Sequence, residues 1–261
     1  MSPDRALTHM DEGPLHLWCA NPDDVSGEPV AQACAQLLSE DERARWQRFR
    51  FEKDRREYLT TRVLMRVALS HHHPRAPATW RFELNACGKP AAQPDCGLRF
   101  NLSNSSRLVV CLIARRAEVG VDVEPNDRAG EIAELAPAVF SRQELAQLAA
   151  LSGQERLGRA LSLWTLKEAY IKARGMGLSL PMNKFSFLFD AANGIRLELD
   201  PGLSDVQGGN WRFCLVDHAG HRIALMAERR TPPELQLWKA TPLLAPPTRF
   251  SFGEVRWFAA S

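Results

Sequence analysis

The chain has 261 residues, 45% of them hydrophobic and 25% charged, with a formal net charge of only +2. That is an ordinary globular composition, long enough for one large domain or two small ones with a core that needs no covalent staples. It argues against a strongly basic nucleic-acid binder, and no apolar run reaches the roughly 18 residues of a membrane span.

The first fourteen residues lack a charged start followed by an apolar stretch, so no signal peptide is expected. Residues 15–19 ("LHLWC") predict a strand, and residues 28–38 a helix. A second helix is expected over 39–49, with Ser39 as N-cap and Glu42 at capping-box spacing. Leu59, Val63 and Val67, with Leu64 and Ala68, recur at helical period across 54–70. A strand at 80–84 leads into the turn "NACGKP". Residues 98–105, 108–114 and 118–124 read as three consecutive strands of a meander. Helices follow at 141–151 and 155–174, ended by Gly175, and four more strands are expected between 184 and 228. A proline-rich stretch from 231 to 247 predicts a linker, with an aromatic tail after it. Helices and strands thus come in two similar rounds, an α+β pattern of two lobes at 15–117 and 118–228, flanked by an extension (1–14) and the tail (229–261). The repeat is visible only as architecture.

Cys19, Cys34, Cys87, Cys96, Cys111 and Cys214 form no CxxC pair or framework spacing, which predicts reduced thiols in the cytoplasm. The run His71–His73 reads as a helix end or solvated loop rather than a metal site.

In "GVDVE" (120–124), Asp122 and Glu124 alternate with valines. On a strand they share one face, about 7 Å apart, while the valines pack behind. Such a pair is either the wet face of a half-exposed strand or two carboxylates held together by a divalent cation; hard oxygen ligands suit Mg²⁺. Glu168 sits in "WTLKEAYIK" on a helix apolar on nearly every side, with Lys172 one turn on. Alone, that spacing is also the spacing of a surface ion pair. "CGKP" (87–90) is a turn whose Gly88 permits close approach, whose Lys89 can meet phosphate and whose Pro90 stiffens the backbone. "NLSNSS" (101–106) offers hydroxyls and amides to phosphate oxygens, or merely closes a hairpin. Nine basic residues between 43 and 66 interleave with six acids from 40 to 57, mostly as a solvated helix face, although a subset could grip a terminal phosphate.

Taken in order, "GKP" (88–90), "FNLSNS" (100–105), "GVDVEP" (120–125), "FSRQE" (140–144) and "WTLKEAYIKARGMGLSLPMNKFSF" (164–187) resemble the 4′-phosphopantetheinyl transferases, closest to the long, monomeric type that activates peptide synthetases. The resemblance covers roughly 15–228. It implies two α+β lobes related by pseudo-twofold symmetry with coenzyme A in the cleft between them. It implies Mg²⁺-dependent transfer of the phosphopantetheine arm to a serine of an apo acyl or peptidyl carrier protein, releasing adenosine 3′,5′-bisphosphate. Carried over by position, Asp122, Glu124 and Glu168 are the metal ligands, and Lys172 steadies charge at the phosphates. Gly88, Lys89 and Pro90 line the adenine and phosphate end, Ser103 touches the nucleotide, and Arg45, helped by Arg62, takes the 3′-phosphate. Glu168 is the candidate base, with Glu144 an outside alternative. The family pattern Asn-x-Ser-His is broken here, because Asn104 stands at the histidine position. A coenzyme A-binding module without transfer and a metal-dependent phosphohydrolase are the rival readings. The carrier's docking surface is expected near 125–145.

Overall fold

The computed structural model describes residues 13–105, 107–190, 194–203, 209–240 and 244–260. Strand β1 (Leu15–Ala20) is followed by helices α1 (Glu28–Ala35), α2 (Glu40–Arg48) and α3 (Glu52–His72). The hairpin β2 (Arg81–Leu84) and β3 (Pro90–Gln93) precedes β4 (Leu98–Ser105), β5 (Leu108–Arg115) and β6 (Val119–Pro125). Then come α4 (Ala129–Val139), α5 (Arg142–Ala149), α6 (Gly153–Arg174), the hairpin β7 (Phe185–Phe189) and β8 (Ile195–Leu199), and β9 (Trp211–His218) with β10 (His221–Glu228). Three short strands close the chain: β11 (Leu235–Lys239), β12 (Thr248–Phe250) and β13 (Phe258–Ala259). No helix of the described residues is long and apolar enough to cross a membrane.

Two sheets carry the two lobes, in the orders β12-β11-β1-β5-β4 and β13-β9-β10-β6. Within them β1-β5-β4 and β6-β10-β9 repeat one plan: the lobe's first strand pairs antiparallel with its last, and the last with the one before it. The alternation of each strand sorts its side chains between two cores. From β5, Val109, Cys111 and Ile113 meet the core under α3, while Leu108, Val110, Leu112 and Ala114 meet a core between the sheets. From β6, Val119, Val121 and Val123 enter that same inter-sheet core, with Ile223 and Leu225 of β10. A third core lies under α6, around Leu163, Leu166, Tyr170 and Phe187. The lobes therefore pack sheet against sheet, with a long helix on each outer face.

Besides adding α4 and β3, which the sequence reading did not delimit, the structure departs from that reading in two places. The third strand of the expected meander, β6, pairs with β10 rather than with β5. Its other edge faces β4, where side chains replace the ladder: Asn101 Oδ1 accepts from Val121 N at 2.9 Å and Ser103 Oγ from Val123 N at 3.2 Å. Buried N–H groups need partners, and two side-chain oxygens supply them without drawing the sheets into one. The expected linker holds β11, which lies parallel to β1 and antiparallel to β12. The tail then packs Phe250, Phe252 and Trp257 on the inter-sheet core and pairs β13 with β9, so it fastens to both lobes.

Candidate active site

The Val-Asp-Val-Glu alternation sends the valines of β6 into the inter-sheet core and both acids to the opposite face. Asp122 and Glu124 are only 3% and 8% exposed, so this is not a wetted strand face. What lies over them is α6, brought close by Gly120. A Cβ at that position would stand 2.0 Å from the carbonyl oxygen of Ala169 and 2.5 Å from the amide nitrogen of Ala173. Only glycine lets the helix backbone rest on the strand, which sets Glu168 and Lys172, on successive turns of α6, beside Asp122.

Lys172 Nζ meets Asp122 Oδ1 at 2.6 Å and donates to Ser103 Oγ at 3.0 Å. Ser103, itself buried, donates to Asp122 Oδ1 at 3.0 Å. Glu124 is held by two residues that motif reading did not single out: Arg128 Nη1 at 2.6 Å on Oε2 and Trp164 Nε1 at 2.9 Å on Oε1. Glu168 makes no hydrogen bond among the described residues, and Asp122 Oδ2 is buried without a partner. Burial pushes the Glu168 carboxyl above its usual range, and the Asp122 charge adds to the shift against the pull of Lys172. Burial and Asp122 likewise raise Glu124, offset in part by Arg128 and Trp164. Like charges in a poorly hydrated site repel, and this is the chemistry a hard cation relieves. Among the described residues no three acidic, histidine or cysteine groups already form a cage. The free oxygens of Asp122 and Glu168 nevertheless fit a divalent cation in chemistry and charge.

The acids open into a cavity of about 400 Å³ lined by Ser103, Asn104, Asp122, Glu124, Glu168 and Lys172, among others. A larger one, about 660 Å³, shares Trp164, Glu168 and Lys172 with it and extends past Gly88, Lys89 and Pro90 toward Met182. Together they run between the lobes. Asn104, at the rim, donates its amide to Glu57 of α3. Arg45 and Arg62 line neither cavity. They flank the Tyr58 ring in a separate hollow of about 620 Å³ between α2, α3 and the β2 strand. Lys89 sits at the cleft, but its ammonium is bound to Glu118 Oε2 at 2.7 Å, Ala173 O at 2.8 Å and Val119 O at 3.2 Å. Glu144 lines neither cavity and is fully buried with Lys167 Nζ at 2.8 Å, so nothing in the geometry supports it as a base. Trp164 and Gly120 were legible only as parts of quoted motifs; Arg128 and Glu57 carry no local signal.

A family model described as the 4′-phosphopantetheinyl transferase superfamily matches residues 118–226, and one described as 4′-phosphopantetheinyl transferase, N-terminal, matches residues 27–116. The protein slr0495 of Synechocystis sp. is 32% identical over 202 residues, covering 72% of this chain and 81% of its own length. The 4′-phosphopantetheinyl transferase Sfp of Bacillus subtilis is 30% identical over 163 residues, covering 62% of this chain and 71% of its own. Among solved structures, the holo-[acyl-carrier-protein] synthase of Neisseria meningitidis is a slighter likeness, with a TM-score of 0.38 at 18% identity over 43% of this chain and 97% of that one.

Proposed function

The chain belongs to the 4′-phosphopantetheinyl transferase superfamily, and on that premise we propose that it moves the 4′-phosphopantetheine arm of coenzyme A to a serine of an apo acyl or peptidyl carrier protein, releasing adenosine 3′,5′-bisphosphate. The observation that carries the reading is the convergence of Asp122, Glu168 and Lys172, from β6 and α6, on one cavity between the lobes.

The geometry supports the following roles. Glu168, whose side chain has no hydrogen-bond partner among the described residues, takes the proton of the carrier serine, directly or through a water, as the serine oxygen attacks the phosphorus that bears pantetheine. Lys172, fixed by Asp122 and Ser103, places positive charge where the diphosphate gains negative charge. Asp122, Glu124 and Glu168 would hold a Mg²⁺ ion, whose chemistry is to polarise the phosphoryl group and neutralise the leaving bisphosphate. Arg128 and Trp164 orient Glu124. Gly88, the stem of Lys89 and Pro90 wall the nucleotide end of the cleft, and the Arg45 and Arg62 hollow is suited to the 3′-phosphate.

We assign the lobes to 15–117 and 118–228. Six unpaired cysteines suit a reducing, cytoplasmic setting, and the small net charge gives no strong electrostatic pull toward nucleic acid or an anionic membrane. The monomeric state is carried over from the resemblance to the long type of the family. The test is to incubate the protein with coenzyme A, Mg²⁺ and an apo carrier and to weigh the carrier intact. Transfer adds one phosphopantetheine mass and depends on Mg²⁺. Bisphosphate released with no gain in carrier mass would mean hydrolysis, and neither product would mean binding alone.

A further inference from the structure

Gly175, left-handed at φ 61°, closes α6 locally by donating its N–H to Lys172 O at 3.2 Å. Three neighbouring carbonyls, those of Ala173, Gly175 and Met176, are met by the tip of the β2–β3 hairpin of the first lobe. Asn85 Nδ2 donates to Gly175 O at 2.9 Å, Cys87 Sγ to Met176 O at 3.0 Å, and Lys89 Nζ to Ala173 O at 2.8 Å. Helix C-termini leave carbonyls unsatisfied and carry partial negative charge, so donors and an ammonium are favoured there. Lys89 also donates to Val119 O on β6, one residue before the Gly120 contact. The hairpin tip therefore grips both elements that carry the acids, at the joint where they touch.

Asn85 organises this tip. Its Oδ1 accepts from Cys87 N and from Lys89 N, each at 2.9 Å, which shapes the turn around the left-handed Gly88 (φ 84°), while its Nδ2 reaches across to α6. One amide thus uses both ends, one for its own lobe and one for the other.

We infer that Asn85 is a positioning residue for the transfer reaction: it latches the first lobe to the C-terminus of α6 and so holds Glu168 and Lys172 in register with Asp122. The inference rests on the transferase reading for its kinetic consequence, though not for its structural one. It also separates two roles for the neighbouring motif, since a turn built to bind phosphate has no need of an amide aimed at a helix end.

The variant Asn85→Asp keeps the acceptor for the turn and removes the donor to Gly175 O. With coenzyme A and an apo carrier, kcat is expected to fall on the order of 10–100-fold, the scale of small misplacements of catalytic groups, while KM for coenzyme A stays within about twofold. In the unliganded protein, amides of residues 172–178 are expected to exchange with deuterium about tenfold faster, with those of α3 unchanged. Unchanged exchange at 172–178, an unchanged kcat, or a loss confined to KM for coenzyme A would each overturn the latch. If the aspartate variant does not fold, Asn85→Ala is judged by the same three readouts. If the wild type transfers nothing, the transferase reading fails, and the exchange measurement still decides whether the latch exists.

Discussion

In the first lobe, the place where the leading strand meets the end of the long helix is filled with rings. Trp18 of β1 donates to His72 of α3 at 3.1 Å, and Trp238 of β11 stacks on Trp18 at 5.3 Å. In the second lobe, the same place holds Asp122 of β6 and Lys172 of α6 at 2.6 Å. Strand register makes the two places equivalent, because Trp18 lies opposite Cys111 and Leu102 follows, as Asp122 lies opposite Ala224 and Leu215 follows. Elsewhere the lobes agree down to single residues. Each has a Ser-x-x-Glu capping box on the helix before the long one, Ser39 with Glu42 and Ser141 with Glu144. Each box glutamate binds a buried cation of the long helix, Arg66 at 2.6 Å and Lys167 at 2.8 Å. Each cation also donates to two carbonyls near the start of its hairpin, those of Pro77 and Trp80 or of Met182 and Phe185. The difference shows how one frame can serve two ends: a scaffold fixed by a buried ion pair, with one copy of the strand–helix joint packed shut and the other left open for chemistry.

The sharpest way to break this comparison is at the joint. Glu168→Gln is expected to lower transfer on the order of 10²–10⁴-fold, the usual worth of a general base, whereas His72→Gln at the filled joint leaves kcat within about twofold. Comparable losses in steady-state assays would remove the functional asymmetry. Next come the cations. Lys167→Met leaves Glu144 fully buried without its cation, whereas Arg66→Met removes the near partner of a part-exposed Glu42 that keeps Arg62 at 4.0 Å. The first is expected to cost about 3–5 kcal/mol in denaturant unfolding and the second less, with Glu144→Leu added to Lys167→Met recovering most of the loss. No measurable cost for Arg66→Met would mean that the shared geometry is not a shared energetic device.

A smaller effect tests the charge of the open joint. In metal-free protein, the Glu168 carboxyl is expected to titrate above the ordinary value of 4.5, because burial and Asp122 favour its protonated form. Added Mg²⁺ favours the ionised form and should move the midpoint down in a carboxyl-labelled NMR titration. A midpoint at or below 4.5 before metal is added contradicts the buried, repelled site. The smallest effect concerns the rim. Asn104→His offers a cationic donor in place of an amide already engaged by Glu57, a difference of about 1 kcal/mol, so coenzyme A should bind about fivefold more tightly by calorimetry.

Much of this was readable along the chain. The capping box at Ser39, the period of α3 and the glycine stop after α6 depend on neighbours a few residues away, and their local chemistry recurs in the structure. The Val-Asp-Val-Glu alternation placed two carboxylates on one face, which is a property of any strand. The meander was misread because Asn101 and Ser103 satisfy the edge of β6 through side chains, and no local pattern announces a ladder replaced that way. The proline-rich stretch looked like a linker because β11 is short and its partner β1 lies over two hundred residues earlier.

Local chemistry by itself therefore settled most element types, the two-round α+β order and the placing of acids on β6 and α6, since these follow from periodicity and residue type within a turn or two. Only the tertiary structure decided that Gly120 lets α6 touch β6, that Lys172 is the ion held by Asp122, that Lys89 and Asn85 hold the helix end, and that Glu144 is locked in the core. Those outcomes turn on distances between segments far apart in the chain, which chain closure and packing fix and short-range spacing does not.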